Sequence, residues 1–179
     1  MRKILLISFI FLSSMEFKAQ SDSNIDRPKL VVGIVVDQMR YDYLTRFYNK
    51  YDKGGFKRIM NDGFNCENAH YNYIPTYTAV GHTSIYTGTT PNMHGIIGNN
   101  WYDKFLKKSI YCVDDFNYKA VGTKKTNEQK SPYRLLTTTI TDELRLSQNM
   151  NGKTISIGIK DRSSVLPGGH TANAAYWFI

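Results

Sequence analysis

Residues 29–36 read KLVVGIVV, with no polar side chain between Lys29 and Asp37. A β-branched run of this kind belongs to a strand buried on both faces of a parallel sheet. Working outward, TISIGI at residues 154–159 follows the Asn151-Gly152 turn as a second such strand, and AAYWFI at residues 174–179 reads as a third. Helical and loop patterns fill the interval. Tyr41 to Met60 is helix-like and divided at Gly54-Gly55, Asp62-Gly63 marks a turn, and a helix starts after Pro75. Gly88 to Asn100 reads as loop, and Lys104 to Lys130 is polar, aromatic and basic without period. Ser131-Pro132 predicts the start of another helix, Ser as cap and Pro in the first turn. Leu136, Ile140 and Leu144 recur every four residues and mark its expected apolar face. Strands separated by helices predict an α/β domain, a parallel sheet with flanking helices. Trp177, Phe178 and Ile179 have no turn or cover after them, so the sheet is expected to be incomplete at the C-terminus.

The composition suits one globular domain: 179 residues, 41% hydrophobic, 21% charged and 13% aromatic. Low-complexity disorder and collagen-like repeats are excluded. The net charge of +8 favours acidic ligands without choosing among them. Residues 1–20 read as a secretory signal. Arg2 and Lys3 are followed by an apolar run from Ile4 to Leu12, broken only by Ser8, with cleavage expected beside Ala19 or Gln20. That run is too short for a bilayer span, which takes about 20 residues. The sequence thus divides into 1–20, signal peptide, and 21–179, the folded part, expected to be periplasmic or secreted. An oxidising compartment permits a disulfide between Cys66 and Cys112, the only two cysteines.

In open parallel sheets functional groups gather at the carboxyl ends of strands. The first strand delivers Asp37 there; the second delivers Lys160, Asp161 and Arg162. One carboxylate with two cations suits a metal and an anion, although charges are common wherever strands emerge into water. Thr78 stands where extended chain passes into a helix. A hydroxyl at that point lies among unpaired N–H groups that favour an anion, but local pattern alone makes it an N-cap. Thr76, Thr83 and Ser84 are competitors of the same kind.

The ordered set of Asp37, Pro75-Thr76-Tyr77-Thr78-Ala79-Val80-Gly81-His82, Thr87-Gly88-x-x-Pro91-x-x-His94-Gly95-Ile96-x-Gly98-Asn99-x-Trp101 and Lys160-Asp161-Arg162 resembles the alkaline phosphatase superfamily. The resemblance is to its threonine-nucleophile branch, the phosphate-irrepressible periplasmic alkaline phosphatases, related to nucleotide pyrophosphatase/phosphodiesterases. It runs from about Lys29 to Phe178 and covers only the N-terminal part of such an enzyme. It implies a two-zinc phosphomonoesterase, monomeric and acting on small phosphate monoesters rather than nucleic acid. Asp37 would be a ligand of one zinc, and Thr78 would bind the same zinc and attack phosphorus. Asn99 would donate its amide to a phosphoryl oxygen, with Lys160 and Arg162 holding the remaining oxygen and favouring the dianion. The phosphothreonine so formed would then be hydrolysed by water.

A two-zinc site needs roughly three protein ligands per ion. Only Asp37 and Thr78 match family ligands, and both belong to one zinc. His70, His82, His94 and His170 form no H-x-x-x-H or H-E-x-x-H arrangement, so packing or loop tethering is the better reading of each. The chain as given is therefore expected to hold zinc poorly and to have little activity. Two alternatives stay open: a phosphodiesterase or nucleotide pyrophosphatase of the same superfamily, and an exported non-catalytic anion-binding module using the basic, aromatic stretch from Lys104 to Lys130. That stretch reads more simply as a solvated loop.

Overall fold

A computed structural model describes residues 28–179. The expected signal peptide lies outside the described residues. The chain divides into two units at Ile34/Val35. In the first, the described residues form no helix or strand and bear exposed Leu30, Val31, Val32 and Ile34. The second, residues 35–179, contains the elements below.

Helix α1 spans Tyr43–Arg46 and runs into a 3-10 turn over Tyr48–Lys50. Helix α2 spans Phe56–Asp62 and starts at Gly55, whose φ of +56° needs glycine. Helix α3 spans Thr78–Thr87 and stops at Gly88, left-handed at φ +66°, the usual helix terminator. Helix α4, Pro91–His94, is a single turn inside the segment expected to be loop. Strands β1, Asn100–Asp103, and β2, Lys108–Tyr111, form an antiparallel hairpin. Its turn is closed by Asp103 Oδ1, which accepts from the N–H groups of Phe105 and Leu106 at 2.9 and 2.8 Å. Helix α5 spans Ile140–Leu146, β3 Ile155–Ile157, α6 Asp161–Gly168 and β4 Ala174–Tyr176. β3 and β4 pair in parallel, Ile155 opposite Ala174 and Ile157 opposite Tyr176. Parallel strands need a crossover, and α6 supplies it.

The helix lies close to the strand it leaves. A Cβ on Gly158 would stand 2.7 Å from Ser163 Oγ and 2.9 Å from the Ser163 carbonyl carbon, so glycine is required there. The core comprises Ala79, Ile96, Cys112, Val113, Leu135, Val165 and Leu166, with Trp101, Tyr111, Ala175 and Trp177 packed on its rim. It joins α3, the end of the hairpin and α6. Its burial fixes where the starts of α3 and α6 lie.

Three expectations need correction. Residues 31–36 form no strand: the sheets among the described residues are β1–β2 and β3–β4. Most of the run is exposed, so its β-branched composition alone does not make it a strand. TISIGI does form a strand over its middle, but Ile155 and Ile157 are exposed rather than buried. The helix expected from Ser131 begins only at Ile140. Ser131 Oγ instead donates to Asp115 Oδ2 at 2.5 Å and accepts from the Tyr133 N–H at 3.1 Å. The true start is a capping box, in which Thr139 Oγ1 accepts from the Asp142 N–H and Asp142 Oδ2 accepts from the Thr139 N–H. The stripe of Leu136, Ile140 and Leu144 accordingly faces outward, 72%, 66% and 39% exposed. The question of a Cys66–Cys112 bridge, open from sequence, is answered by two free cysteines, the first exposed and the second buried. Burial, with Asp161 nearby, pushes the Cys112 thiol up to about 12, so it behaves as a packing residue.

Asp142 ties α5 to the end of α6. Its fully buried carboxylate accepts from the N–H groups of Thr139, His170 and Thr171 and from the Thr171 hydroxyl. Burial alone would raise its pKa, but these donors hold it below the ordinary carboxylate value. A lowered folded value means the stabilisation is complete above the ordinary value and is lost as pH falls through the lowered one. Asp142→Ala strands these backbone donors and is expected to cost about 3 kcal/mol or more in urea unfolding at neutral pH. It should also flatten the acid limb of the stability curve. An unchanged midpoint would show that water replaces the carboxylate without loss.

Candidate active site

The first turn of α3 carries the densest set of chemical groups. The N-cap is Tyr77, in extended conformation and without a side-chain cap. Thr78 is therefore the first helical residue and not the cap that local pattern favours. Its hydroxyl has a different partner: Thr78 Oγ1 donates to Asp37 Oδ2 at 3.0 Å across 41 residues of sequence. Asp37 stands in the turn that ends the KLVVGIVV run, closed by the Met39 N–H on the Val36 carbonyl and by Gln38 at φ +60°. Asp37 is exposed and Thr78 half-buried, so the pair is open to solvent.

Asn99 performs the capping that Tyr77 does not. Its Oδ1 accepts from the Ala79 N–H at 3.0 Å, satisfying one of the open donors of the first turn. An N–H can only donate, so the amide oxygen must be the end facing α3. This leaves Nδ2 as a donor for another acceptor. The Asn99 carbonyl accepts from the Cys112 N–H at 3.0 Å, one residue beyond the paired Asn100 and Tyr111. Asn99 is thus held from both sides, by α3 and by the hairpin.

Lys160 and Arg162 flank Asp161 at the start of α6, which packs against α3. Lys160 is exposed; the Lys160 N–H donates to Ser163 Oγ at 3.2 Å, and that hydroxyl donates back to the Lys160 carbonyl at 2.7 Å. Arg162 is half-buried, and Nη1 donates to the Tyr111 hydroxyl at 2.8 Å. Its Nε is buried with no hydrogen-bond partner. The Tyr111 hydroxyl donates in turn to Asp161 Oδ1 at 2.5 Å. Behind it, Lys130 lies 3.6 Å from Asp161 Oδ2 and 2.6 Å from Asp114 Oδ1. Burial and the bond to Asp161 push the Tyr111 phenol well above its ordinary range, so it stays protonated.

Asp37, Thr78 and Asn99 therefore meet at one helix terminus. Arg162 is tied to Tyr111, at the end of the strand whose next residue, Cys112, bonds to the Asn99 carbonyl. Neither Lys160 nor Arg162 bonds to Thr78. The residues that sequence reasoning missed are Tyr111, Lys130 and Asp114; Tyr111 lies 51 residues from Arg162 and had been grouped with a solvated loop.

The histidines are tethers. His82 Nδ1 donates to the Thr78 carbonyl at 2.8 Å, bracing the first turn of α3. His94 is fully buried. Its Nδ1 accepts from the Ile96 N–H at 3.1 Å, so Nε2 carries the proton and donates to Ser84 Oγ at 2.9 Å. Burial lowers the His94 pKa and keeps the ring neutral. His70 pairs with Asn68, and His170 donates to the Thr137 carbonyl. Among the described residues no group of three or more His, Cys, Asp or Glu side chains could hold a metal. Asp37 and Thr78 supply two oxygen donors at 3.0 Å, which fits part of the donor set of one ion.

The profile of the type I phosphodiesterase / nucleotide pyrophosphatase family matches residues 31–177. Alkaline phosphatase PhoV of Synechococcus elongatus is 57% identical over 154 residues, 86% of this chain and 28% of PhoV. Alkaline phosphatase PafA of Elizabethkingia meningoseptica is 51% identical over 174 residues, 97% of this chain and 32% of PafA. The crystal structure of wild-type PafA superposes with a TM-score of 0.84 at 54% identity, covering 86% of this chain and 30% of that one. The fold is thus that of PafA over the matched part. The chain spans less than a third of the length of these relatives.

Proposed function

Because the chain belongs to the type I phosphodiesterase / nucleotide pyrophosphatase family, we propose that its residues serve zinc-dependent hydrolysis of phosphate monoesters through a phosphothreonine at Thr78. The reading rests on one observation above all: the Thr78 hydroxyl, at the first turn of a buried helix, is paired with the Asp37 carboxylate.

Asp37 and Thr78 would hold one zinc ion, and zinc bound there would supply the charge that lets a threonine hydroxyl ionise near neutral pH. The remaining work falls to side chains. The hydroxyl proton is directed at Asp37 Oδ2, which fixes the direction of the Oγ1 lone pairs. Phosphoryl transfer depends on in-line placement and neutralisation of oxygen charge more than on covalent chemistry. Asn99 Nδ2, free because Oδ1 is taken by the Ala79 N–H, would donate to a phosphoryl oxygen. Lys160 adds a point charge and Arg162 a planar fork, a combination suited to a dianion. The basic start at Arg2 and Lys3 and the apolar run after it support an exported protein, periplasmic or secreted.

Two measurements test this. The 179-residue chain by itself is expected to bind zinc below one equivalent and to show no p-nitrophenyl phosphate turnover above background, since two donors make an incomplete site. The same chain fused to the downstream part of PafA in place of the matching segment is expected to bind zinc and turn the ester over. A folded, zinc-loaded fusion that hydrolyses no phosphoester would overturn the proposal.

A further inference from the structure

We infer that Tyr111 is a positioning residue for Arg162, holding the guanidinium in the pose from which it grips a phosphoryl oxygen. The inference rests on the reading of Arg162 given above. An arginine side chain has several rotatable bonds, and a cation meant for one anion gains when its orientation is fixed beforehand. Tyr111 fixes it at two levels. The phenol oxygen accepts from Nη1 at 2.8 Å while the ring lies 5.9 Å from Cζ. The phenol proton is committed to Asp161 Oδ1 at 2.5 Å, so the chain of bonds runs one way, from Arg162 to Tyr111 to Asp161.

Asp161 is pinned as well. Its Oδ1 accepts from the Arg162 N–H at 2.6 Å, and Lys130, set 5.0 Å from the Tyr111 ring, faces its other oxygen. Without the hydroxyl, Asp161 would be free to pair with the guanidinium directly and draw it off the anion. Tyr111 also sits opposite Asn100 in the hairpin that holds Asn99. One strand therefore sets the pose of two anion donors contributed by different parts of the fold.

The test uses the active fusion and the substitution Tyr111→Phe, which keeps the ring and removes only the hydroxyl. Monoester kcat/KM should fall about tenfold, the scale of one lost hydrogen bond to a charged group. Phosphate inhibition should weaken in parallel, diester hydrolysis should stay constant, and Arg162→Ala should leave Tyr111→Phe with no further effect. Equal loss on both ester classes, or a loss that persists in the Arg162→Ala background, would mean a structural role only and would sink the inference. If Arg162→Ala itself leaves monoester hydrolysis unchanged, the reading of Arg162 fails and this inference falls with it. Should Tyr111→Phe melt early, Asp161→Asn read in the same cycle carries the same prediction of a loss confined to monoesters.

Discussion

Thr78→Ala in the active fusion should lower monoester turnover roughly 10^4-fold or more, the scale on which removal of a covalent nucleophile acts. Zinc content should also drop, because the substitution deletes one of the two oxygen donors. Thr78→Ser is the control that separates chemistry from packing. It keeps the oxygen, loses only a methyl group, and should retain activity within about tenfold. Acid quench during turnover should trap phosphate on the peptide containing Thr78. The competing reading makes Thr78 a helix residue of no chemical consequence. The bond to Asp37 argues against it, since a capping hydroxyl would face the helix N–H groups, a task that Asn99 performs here. Equal activity of the Ala and Ser variants, or label found only on Thr76 or Thr83, would remove Thr78 from the mechanism. Helix stability offers no confusion, because the first helical position is tolerant and its N–H is unaffected by the side chain.

Several elements were legible in the residue pattern. Strands β3 and β4 fall inside TISIGI and AAYWFI, and α3 starts where extended chain after Pro75 ends. The misreadings share a cause. Leu136, Ile140 and Leu144 keep helical spacing, yet spacing cannot say whether anything covers the stripe, and the capping signal Thr139-x-x-Asp142 was the better guide. KLVVGIVV has the composition of a buried strand, yet its residues form none and lie mostly exposed. At the site, local rules gave Thr78 the wrong job. Its hydroxyl bonds instead to Asp37, and no local rule spans that separation. Motif order brought Asp37, Thr78, Asn99, Lys160 and Arg162 into view together. It was silent on Tyr111, whose importance arises only when the hairpin meets α6.

Replacing both Lys160 and Arg162 by alanine should cost about 10^3-fold in monoester kcat/KM while leaving diester hydrolysis within a few-fold, given that removing one preorganised donor costs about 10^2–10^3. The asymmetry follows from charge. A monoester dianion presents one more negative oxygen than a diester, and a pair of cations is most valuable where that oxygen lies. The family profile names phosphodiesterases as well, so this comparison decides between two chemistries that share Asp37 and Thr78. Single substitutions sharpen it. Arg162→Lys preserves charge but loses the planar group that bonds to the Tyr111 hydroxyl, and should recover little of the loss. Lys160→Arg, at an exposed position without a fixed partner for its ammonium, should recover most of it. If the double variant loses diester and monoester activity equally, the cations grip an oxygen common to both substrates. The diesterase reading would then displace the one proposed, with the same nucleophile and the same carboxylate at its centre.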